Sequence, residues 1–285
     1  MRESELLEQA ASKRVLFVGE TIRDVYHYVR PLGRPTKDAI VSVELASTEE
    51  FVGGVIAAKA HLADFMSRAP ECCTSAGYVT KTRFVEGSHI RKLFEFYRWD
   101  GEMRATLPVD LQEYDAVIVT DYGHGMVDEA MVDELCAKAR YLAVNVQTNS
   151  GNYGFNLAHK YPCCHFLCVD EPEARLATQR RSGAIEATLA ELAEIAPKLC
   201  VTLGKEGAVG YHHGMIHRSS AFTDSVVDTM GAGDAFFALT ALVAEQAEMP
   251  ELLRIGNAAG AIKAGIVGHR DSVTKEGLIE LLGTR

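Results

Sequence analysis

The sequence predicts a three-layer α/β/α domain with a mainly parallel central sheet and a small second β-sheet attached to it. Strand-length apolar runs such as Val15-Leu16-Phe17-Val18-Gly19 and Ala116-Val117-Ile118-Val119-Thr120 alternate with helical stretches along most of the chain, the signature of strand–helix units. Several of these runs end in glycine or a carboxylate, as strands do where they feed a ligand site beyond their carboxyl ends. Two early tracts, approximately 25–52 and 80–106, instead alternate polar and apolar residues around Pro31, Gly33 and Pro35, which is strand-and-turn material. No internal repeat or low-complexity linker divides the chain, so residues 1–285 are expected to form one domain carrying these two β-rich segments.

Composition narrows the function. The 285 residues, 47% hydrophobic and 24% charged, describe an ordinary globular protein with a full core. A formal charge of -10 argues against nucleic acid or an anionic membrane as partner. No apolar run approaches the roughly 20 residues of a membrane helix, and MRESELLEQAASKR lacks the apolar centre of a signal peptide. The seven cysteines include two vicinal pairs and no C-x-x-C, which predicts reduced thiols and a cytoplasmic location. Cys163, Cys164, His165 and Cys168 lie in the apolar run CCHFLCV, which reads as a buried strand rather than a zinc cluster.

In chain order, a first helix precedes the strand ending at Gly19-Glu20, with Asp24 just beyond it. Gly53-Gly54 opens a helix, and Cys72 to Val79 reads as a strand. Asp115 to Asp121 is a stronger strand, ending in Asp121-Tyr122-Gly123-His124-Gly125 before a helix from about 128 to 140. Another strand, 141–146, runs into the amide-rich loop Gln147 to Asn156, whose lack of any period suggests an active-site loop. The strand 165–169 meets Asp170-Glu171-Pro172-Glu173, where Asp170 is a natural helix cap and Pro172 suits a first turn. A helix over 184–195 precedes Val201-Thr202-Leu203-Gly204-Lys205-Glu206-Gly207, a hairpin turn on its own evidence. Helices over 250–267 and 274–282 close the chain.

The chemistry concentrates in Asp228-Thr229-Met230-Gly231-Ala232-Gly233-Asp234, which runs directly into an apolar helix. Glycines let a backbone approach a ligand closely, and the free N–H groups of a helix's first turn attract anions. Asp234 at the rim of such a cradle is placed to deprotonate a hydroxyl that attacks a phosphoryl group. A tight turn with a helix cap is the plainer reading of a lone G-A-G, and the flanking Asp-Thr and Asp weigh against it. There is no G-x-x-x-x-G-K-[ST], H-E-x-x-H, G-x-S-x-G or G-x-G-x-x-G.

DTMGAGDAFFA resembles the C-terminal signature of the PfkB (ribokinase-like) carbohydrate kinases, and the resemblance extends from Gly19 to Asn257. It implies a ribokinase-like fold whose small sheet is a lid over the sugar and a surface for a homodimer. It implies ATP and Mg²⁺, with Asp234 as general base and Gly231, Ala232 and Gly233 as anion hole. Asp24 matches the substrate aspartate, and Gly53-Gly54 the glycine pair that approaches the sugar. Ala57 stands where the family has an asparagine. Thr202, Gly204 and Gly207 match the nucleotide-binding turn, with Asp228 and Asn257 on the same side. Asp170 and Glu173 match N-x-x-E, whose acid organises water around magnesium, with Asp in place of Asn.

DYGHG, with Asp121 and His124, is similar to the heptose-phosphate kinase branch. The segment cations Lys37, Lys81, Arg83 and Arg91 would suit an acceptor that already carries a phosphate. Kinases of that branch are often fused to a nucleotidyltransferase with H-x-G-H, absent here, so a separate protein is expected for that step. The resulting expectation is an ATP-dependent kinase for a sugar or sugar phosphate. Its rivals are a nucleoside kinase and a catalytically silent binding or regulatory protein.

Overall fold

A computed structural model describes residues 2–33, 38–87, 90–222 and 225–284. Lys37 lies outside the described residues. The chain folds as α1 (Glu3–Ala10), β1 (Val15–Gly19), β2 (Thr21–Pro31), β3 (Val43–Gly54), α2 (Val55–Ala60), β4 (Glu71–Cys73), β5 (Tyr78–Glu86) and β6 (Arg91–Asp100). There follow β7 (Ala116–Asp121), α3 (Glu129–Lys138), β8 (Leu142–Val146), β9 (Phe166–Asp170), α4 (Glu171–Ala177) and α5 (Ile185–Leu192). The hairpins β10 (Lys198–Thr202), β11 (Ala208–His212) and β12 (Met215–Ser219) lead to α6 (Ala232–Val243), α7 (Met249–Ala264) and α8 (Lys275–Gly283).

The main sheet has eight strands in the order β12-β11-β10-β9-β8-β7-β1-β4. From β10 to β4 its pairs are parallel, and β11 and β12 add an antiparallel edge. Strand β1 is buried at every position because helices cover both faces, as a parallel sheet requires. Its alternation assigns Val15 and Phe17 to a core shared with α1, α2, α6, α7 and α8. Leu16 and Val18 point to the other core, shared with α3, α4 and α5. This is the three-layer α/β/α architecture the sequence predicts.

The second sheet has the order β3-β2-β5-β6, with β2 and β5 parallel and the outer pairs antiparallel. The strand expected over 72–79 divides here: β4 ends at Cys73 in the main sheet, and β5 begins at Tyr78 in the small one. The break has a local cause. A Cβ on Gly77 would meet the Glu102 backbone carbonyl at 2.6 Å, so the chain crosses between sheets where only glycine fits.

Helix α6 organises the core. Ten of its twelve residues are buried, so it runs through the apolar interior with its first turn at the end of the sheet where β7, β8 and β9 terminate. Its other end is neutralised: Lys13 donates to Leu242 O at 3.2 Å, and Lys198 to Ala244 O and Ala247 O at 2.6 and 2.7 Å. Cations there complement the helix dipole and satisfy its last carbonyls.

Candidate active site

Gly231 is the N-cap of α6 in the left-handed region, with φ 73°, a conformation that strongly favours glycine. This twist brings Asp234 into the first turn of the helix, buried, with its Oδ1 receiving Tyr122 Oη at 3.1 Å and Gln147 Nε2 at 2.8 Å. Its Oδ2 has no hydrogen-bond partner among the described residues. Burial raises the Asp234 pKa, opposed by His269, Gln147, Tyr122 and Lys81. The result is an oriented carboxylate with one oxygen free to take a proton. In the turn itself, Ala232 N donates to Thr229 O at 3.3 Å. The N–H groups of Gly231 and Gly233 meet no acceptor among the described residues, and a Cβ on Gly233 would face open space. The anion hole expected at three residues is therefore open chiefly at two.

Tyr122, inside DYGHG, and Gln147, at the start of the amide-rich loop, are not singled out as site residues in the sequence, yet they aim Asp234. Their own positions are set by the amide-rich loop. Asn149 and Asn152 both donate to Tyr122 O, at 2.7 and 2.8 Å, and Asn145 receives Gln147 Nε2 at 2.9 Å. Asn156 binds Asp121 O at 3.1 Å. The loop expected to touch substrate thus spends its amides on the backbone behind the catalytic side chains. Glu20, fully buried, braces the same backbone by accepting Tyr122 N and His124 N at 3.1 and 3.0 Å. Burial and the neighbouring Asp121 raise its pKa.

On one side of α6 lies a cavity of about 700 Å³ lined by Asp170, Thr202, Gly204, Gly207, Thr229, Gly233 and Asn257, among others. Thr202, Gly204, Gly207 and Asn257 come together here as the resemblance implied. Gly207 is required by the hairpin itself, since a Cβ would strike Ser219 O at 2.1 Å. The Asn257 amide is engaged, donating to Ser219 O at 2.9 Å. Asp228 does not line this cavity. It faces the small sheet, accepting Lys92 Nζ, Tyr26 Oη and Gly268 N, each at 3.0 Å, so it is a latch between the catalytic turn and that sheet rather than a nucleotide contact.

On the other side the small sheet brings Lys81 and Arg83 on β5 beside Asp24 on β2 and Gly53 on β3, with His269 packed against them. Arg83 pairs with Asp24 and, at 2.9 Å, with Glu95. The Asp24 carboxylate, expected to meet the substrate, is thereby neutralised from the neighbouring strand of its own sheet. His269 Nε2 lies 3.5 Å from Asp24 Oδ2, and its Nδ1 is buried without a partner among the described residues. That ring packs on both glycine motifs: a Cβ on Gly53 would meet Nε2 at 3.1 Å, and one on Gly231 would meet Cε1 at 3.0 Å. Gly54, at φ 65°, is the N-cap of α2. Nothing in the sequence marks His269, because it is distant from both glycine motifs in the chain.

His124 is 7% exposed with both ring nitrogens unpartnered among the described residues. It stacks on Tyr122 and meets Tyr97 and Trp99 edge-on, each at 6.4 Å between centroids. Burial and then Lys81 push its pKa down to about 3. Lys81 lies 5.1 Å over the Tyr97 ring and forms no hydrogen bond among the described residues. Asp121 does not join this group. It is fully buried and saturated by Lys160 Nζ at 2.6 Å, Tyr161 Oη at 3.0 Å and Gly123 N at 2.9 Å, so its carboxylate is taken up in holding the loop.

Asp170 and Glu173 form a reciprocal helix cap: Glu173 N donates to Asp170 Oδ1 at 2.7 Å, and Asp170 N to Glu173 Oε2 at 2.8 Å. The second Glu173 oxygen accepts Thr148 N at 2.9 Å. Burial, with Asp170 alongside, raises the Glu173 pKa. These oxygens do not fit a directly ligated ion, and no cluster of three or more metal-ligating side chains occurs among the described residues. A magnesium ion here would be held through its water shell rather than by these carboxylates directly.

Comparison with known proteins adds a family. The model of the pfkB family carbohydrate kinases matches residues 96–276. The chain is 28% identical over 167 residues to the bifunctional protein HldE of Desulfatibacillum aliphaticivorans, covering 55% of this chain and 33% of that protein. The chain thus spans about a third of the length of this curated relative. In structure it is similar to a putative ribokinase from Agrobacterium tumefaciens, with TM-score 0.68 and 18% identity over 96% of this chain and 98% of that one. It is also similar to Arabidopsis thaliana ribokinase complexed with ribose and ATP, with TM-score 0.70 and 14% identity over 95% and 99%.

Proposed function

This chain belongs to the pfkB family of carbohydrate kinases, phosphotransferases with an alcohol acceptor, and from that premise we propose that it moves the γ-phosphoryl group of ATP to a hydroxyl of a sugar phosphate of heptose-phosphate type. The observation that carries the reading is Asp234: a carboxylate oriented by two hydrogen bonds on one oxygen, free on the other, at the head of a buried helix whose first turn lines the cavity of about 700 Å³. In this reading the acceptor hydroxyl gives its proton to Asp234 Oδ2, and its oxygen attacks the γ-phosphorus. The bond to the bridging oxygen of ADP breaks, and ADP leaves with magnesium. The N–H groups of Gly231 and Gly233 receive the charge on the transferring group, as preorganised donors do. Glu173 and Asp170 reach the ion only through its water.

The phosphate-bearing acceptor is favoured by Lys81. It is buried beside the Asp24–Arg83 pair with no hydrogen bond to its ammonium among the described residues, and suits an anionic acceptor better than a neutral ribose. With Asp24 neutralised and Ala57 in place of an amide, a neutral sugar would find few hydroxyl readers. The small sheet acts as a lid, and its outer face exposes Val52, Phe94 and Phe96, a surface suited to a second copy. No helix among the described residues is long and apolar enough to cross a membrane, which accords with action on a soluble metabolite.

The test is ADP release with Mg-ATP across sugar phosphates, neutral sugars and nucleosides, with Asp234→Asn alongside. The asparagine keeps an oxygen for Tyr122 and Gln147 and loses the base. General base catalysis contributes roughly 10²–10⁴-fold, so turnover should fall by that factor while nucleotide still binds. A wild-type protein that turns over nothing would point to a silent binding protein. Turnover of nucleosides alone would point to a nucleoside kinase. Near-normal activity in the variant would refute the role of Asp234.

A further inference from the structure

The Met230 carbonyl and the Gly231 N–H belong to one peptide unit, and no described peptide bond is cis. In a trans peptide these two groups point in opposite directions. The N–H side opens into the anion hole. The carbonyl side meets Lys263, a wholly buried lysine on α7 whose Nζ donates to Met230 O at 2.9 Å and to Gly268 O at 2.5 Å. A third carbonyl, Ile266 O, lies at 3.5 Å. The stem runs beneath the catalytic turn, its Cε 3.2 Å from where a Gly231 Cβ would sit.

Burying an ammonium is costly unless its donors are satisfied, and here backbone carbonyls satisfy them. Those carbonyls come from the two segments that frame the site, the turn before α6 and the loop carrying His269. Asp228 ties the same segments from the other side, accepting Met230 N at 3.1 Å and Gly268 N at 3.0 Å. The ammonium therefore sits behind the catalytic peptide rather than in front of substrate. A cation on a peptide oxygen fixes the plane of that peptide and strengthens its N–H as a donor.

We propose that Lys263 is a positioning residue for phosphoryl transfer, its ammonium holding and polarising the Met230–Gly231 peptide so that the Gly231 N–H faces the transferring group. The proposal rests on the kinase reading above. It assigns a role in turnover to a side chain that touches neither substrate, and it separates that role from packing by kinetics.

The test uses Lys263→Met, which keeps the length of the side chain without its charge, and Lys263→Ala, which leaves room for a small cation. Loss of one anion-hole donor costs roughly 10²–10³ in kcat. Lys263→Met should lose a comparable factor, with KM for Mg-ATP and for the acceptor changed only a few-fold. Ammonium chloride should restore the Lys263→Ala rate at least tenfold and saturably, while tetramethylammonium chloride at equal ionic strength should not. A second readout needs no acceptor: in calorimetry, inorganic phosphate added to the Mg-ADP complex should bind Lys263→Met at least tenfold more weakly than wild type, with ADP affinity kept. The proposal is overturned if kcat of Lys263→Met stays within threefold of wild type, if ammonium raises only the melting temperature of Lys263→Ala, or if phosphate binds both proteins equally. Failure of both variants to fold even with ammonium would make Lys263 a structural residue and overturn it too. Wild-type inactivity on every acceptor strikes the kinase reading instead, and the phosphate measurement still decides the role of Lys263.

Discussion

Replacing Arg83 with methionine should expose how the acceptor side of the site is held together. Arg83 and Asp24 are almost out of solvent, with side chains 12% and 5% exposed, and Glu95 opposite is 31% exposed. Removing one partner of a buried ion pair costs roughly 3–5 kcal/mol, because the other charge stays buried and uncompensated. The pair with Glu95 is wetter and adds at most about 1 kcal/mol. His269, 3.5 Å from Asp24, can take up part of the lost compensation, which favours the lower end, about 3 kcal/mol. At about 2–4 °C per kcal/mol for chains of this size, the melting temperature should fall by about 6–12 °C.

The assay is urea and thermal unfolding of Arg83→Met, Asp24→Asn and the double variant. The double variant should recover much of the loss, since it no longer buries a lone carboxylate. Sign follows from Asp24. Burial pushes its pKa up, but His269 and Arg83 outweigh that and hold it below the usual carboxylate range. Its contribution in the wild type is present above the unfolded pKa, about 3.9, and is lost as pH falls through the lower folded value. In Arg83→Met the folded pKa rises, so the deficit should shrink as acid protonates Asp24. A loss below 1 kcal/mol, or single effects that add to within 0.5 kcal/mol, would refute the reasoning.

Two further outcomes follow from the same structure. Burial pushes Asp228 up, yet the Gly268 and Met230 N–H groups and Lys92 bring it down to about 2. Its stabilisation is therefore present above the unfolded carboxylate pKa and lost as pH falls through about 2, and Asp228→Asn should flatten the acid limb of the stability profile below about pH 4; an unchanged limb would remove Asp228 as a latch. Removing magnesium with EDTA should abolish turnover and leave the melting temperature unchanged, because the ion arrives with the nucleotide; a lower melting temperature on chelation would reveal a resident ion.

Much of the catalytic end was legible in the sequence because its chemistry is local. A helix N-terminus, two glycines and a carboxylate within seven residues, Asp228 to Asp234, define a tight turn into a helix by chain geometry alone, as the structure has it, and the anion cradle and base are the roles proposed for it. The hairpin turn at Thr202 to Gly207 was legible for the same reason, while its link to a nucleotide came only from the family resemblance. Misread residues were those whose partners are remote. Asp121 looked placed to touch substrate at a strand's carboxyl end, but Lys160 and Tyr161 close over it. Asp228 looked like part of the nucleotide site, but Lys92 from the small sheet claims it. The strand expected over 72–79 divides because Gly77 packs against Glu102, a contact no period records.

By itself, the sequence determined the α/β layering and the turn that opens α6, since strand burial, helix capping and glycine conformation act over a few residues, and its signature motif pointed to the family. Only the tertiary structure decided what that turn is built into. Tyr122 and Gln147 aim Asp234, Lys263 stands behind Gly231, and Arg83 cancels the charge of Asp24. Each is a contact across tens of residues or more, between side chains whose charge or hydrogen bond has meaning only once burial has removed water and left them no other partner.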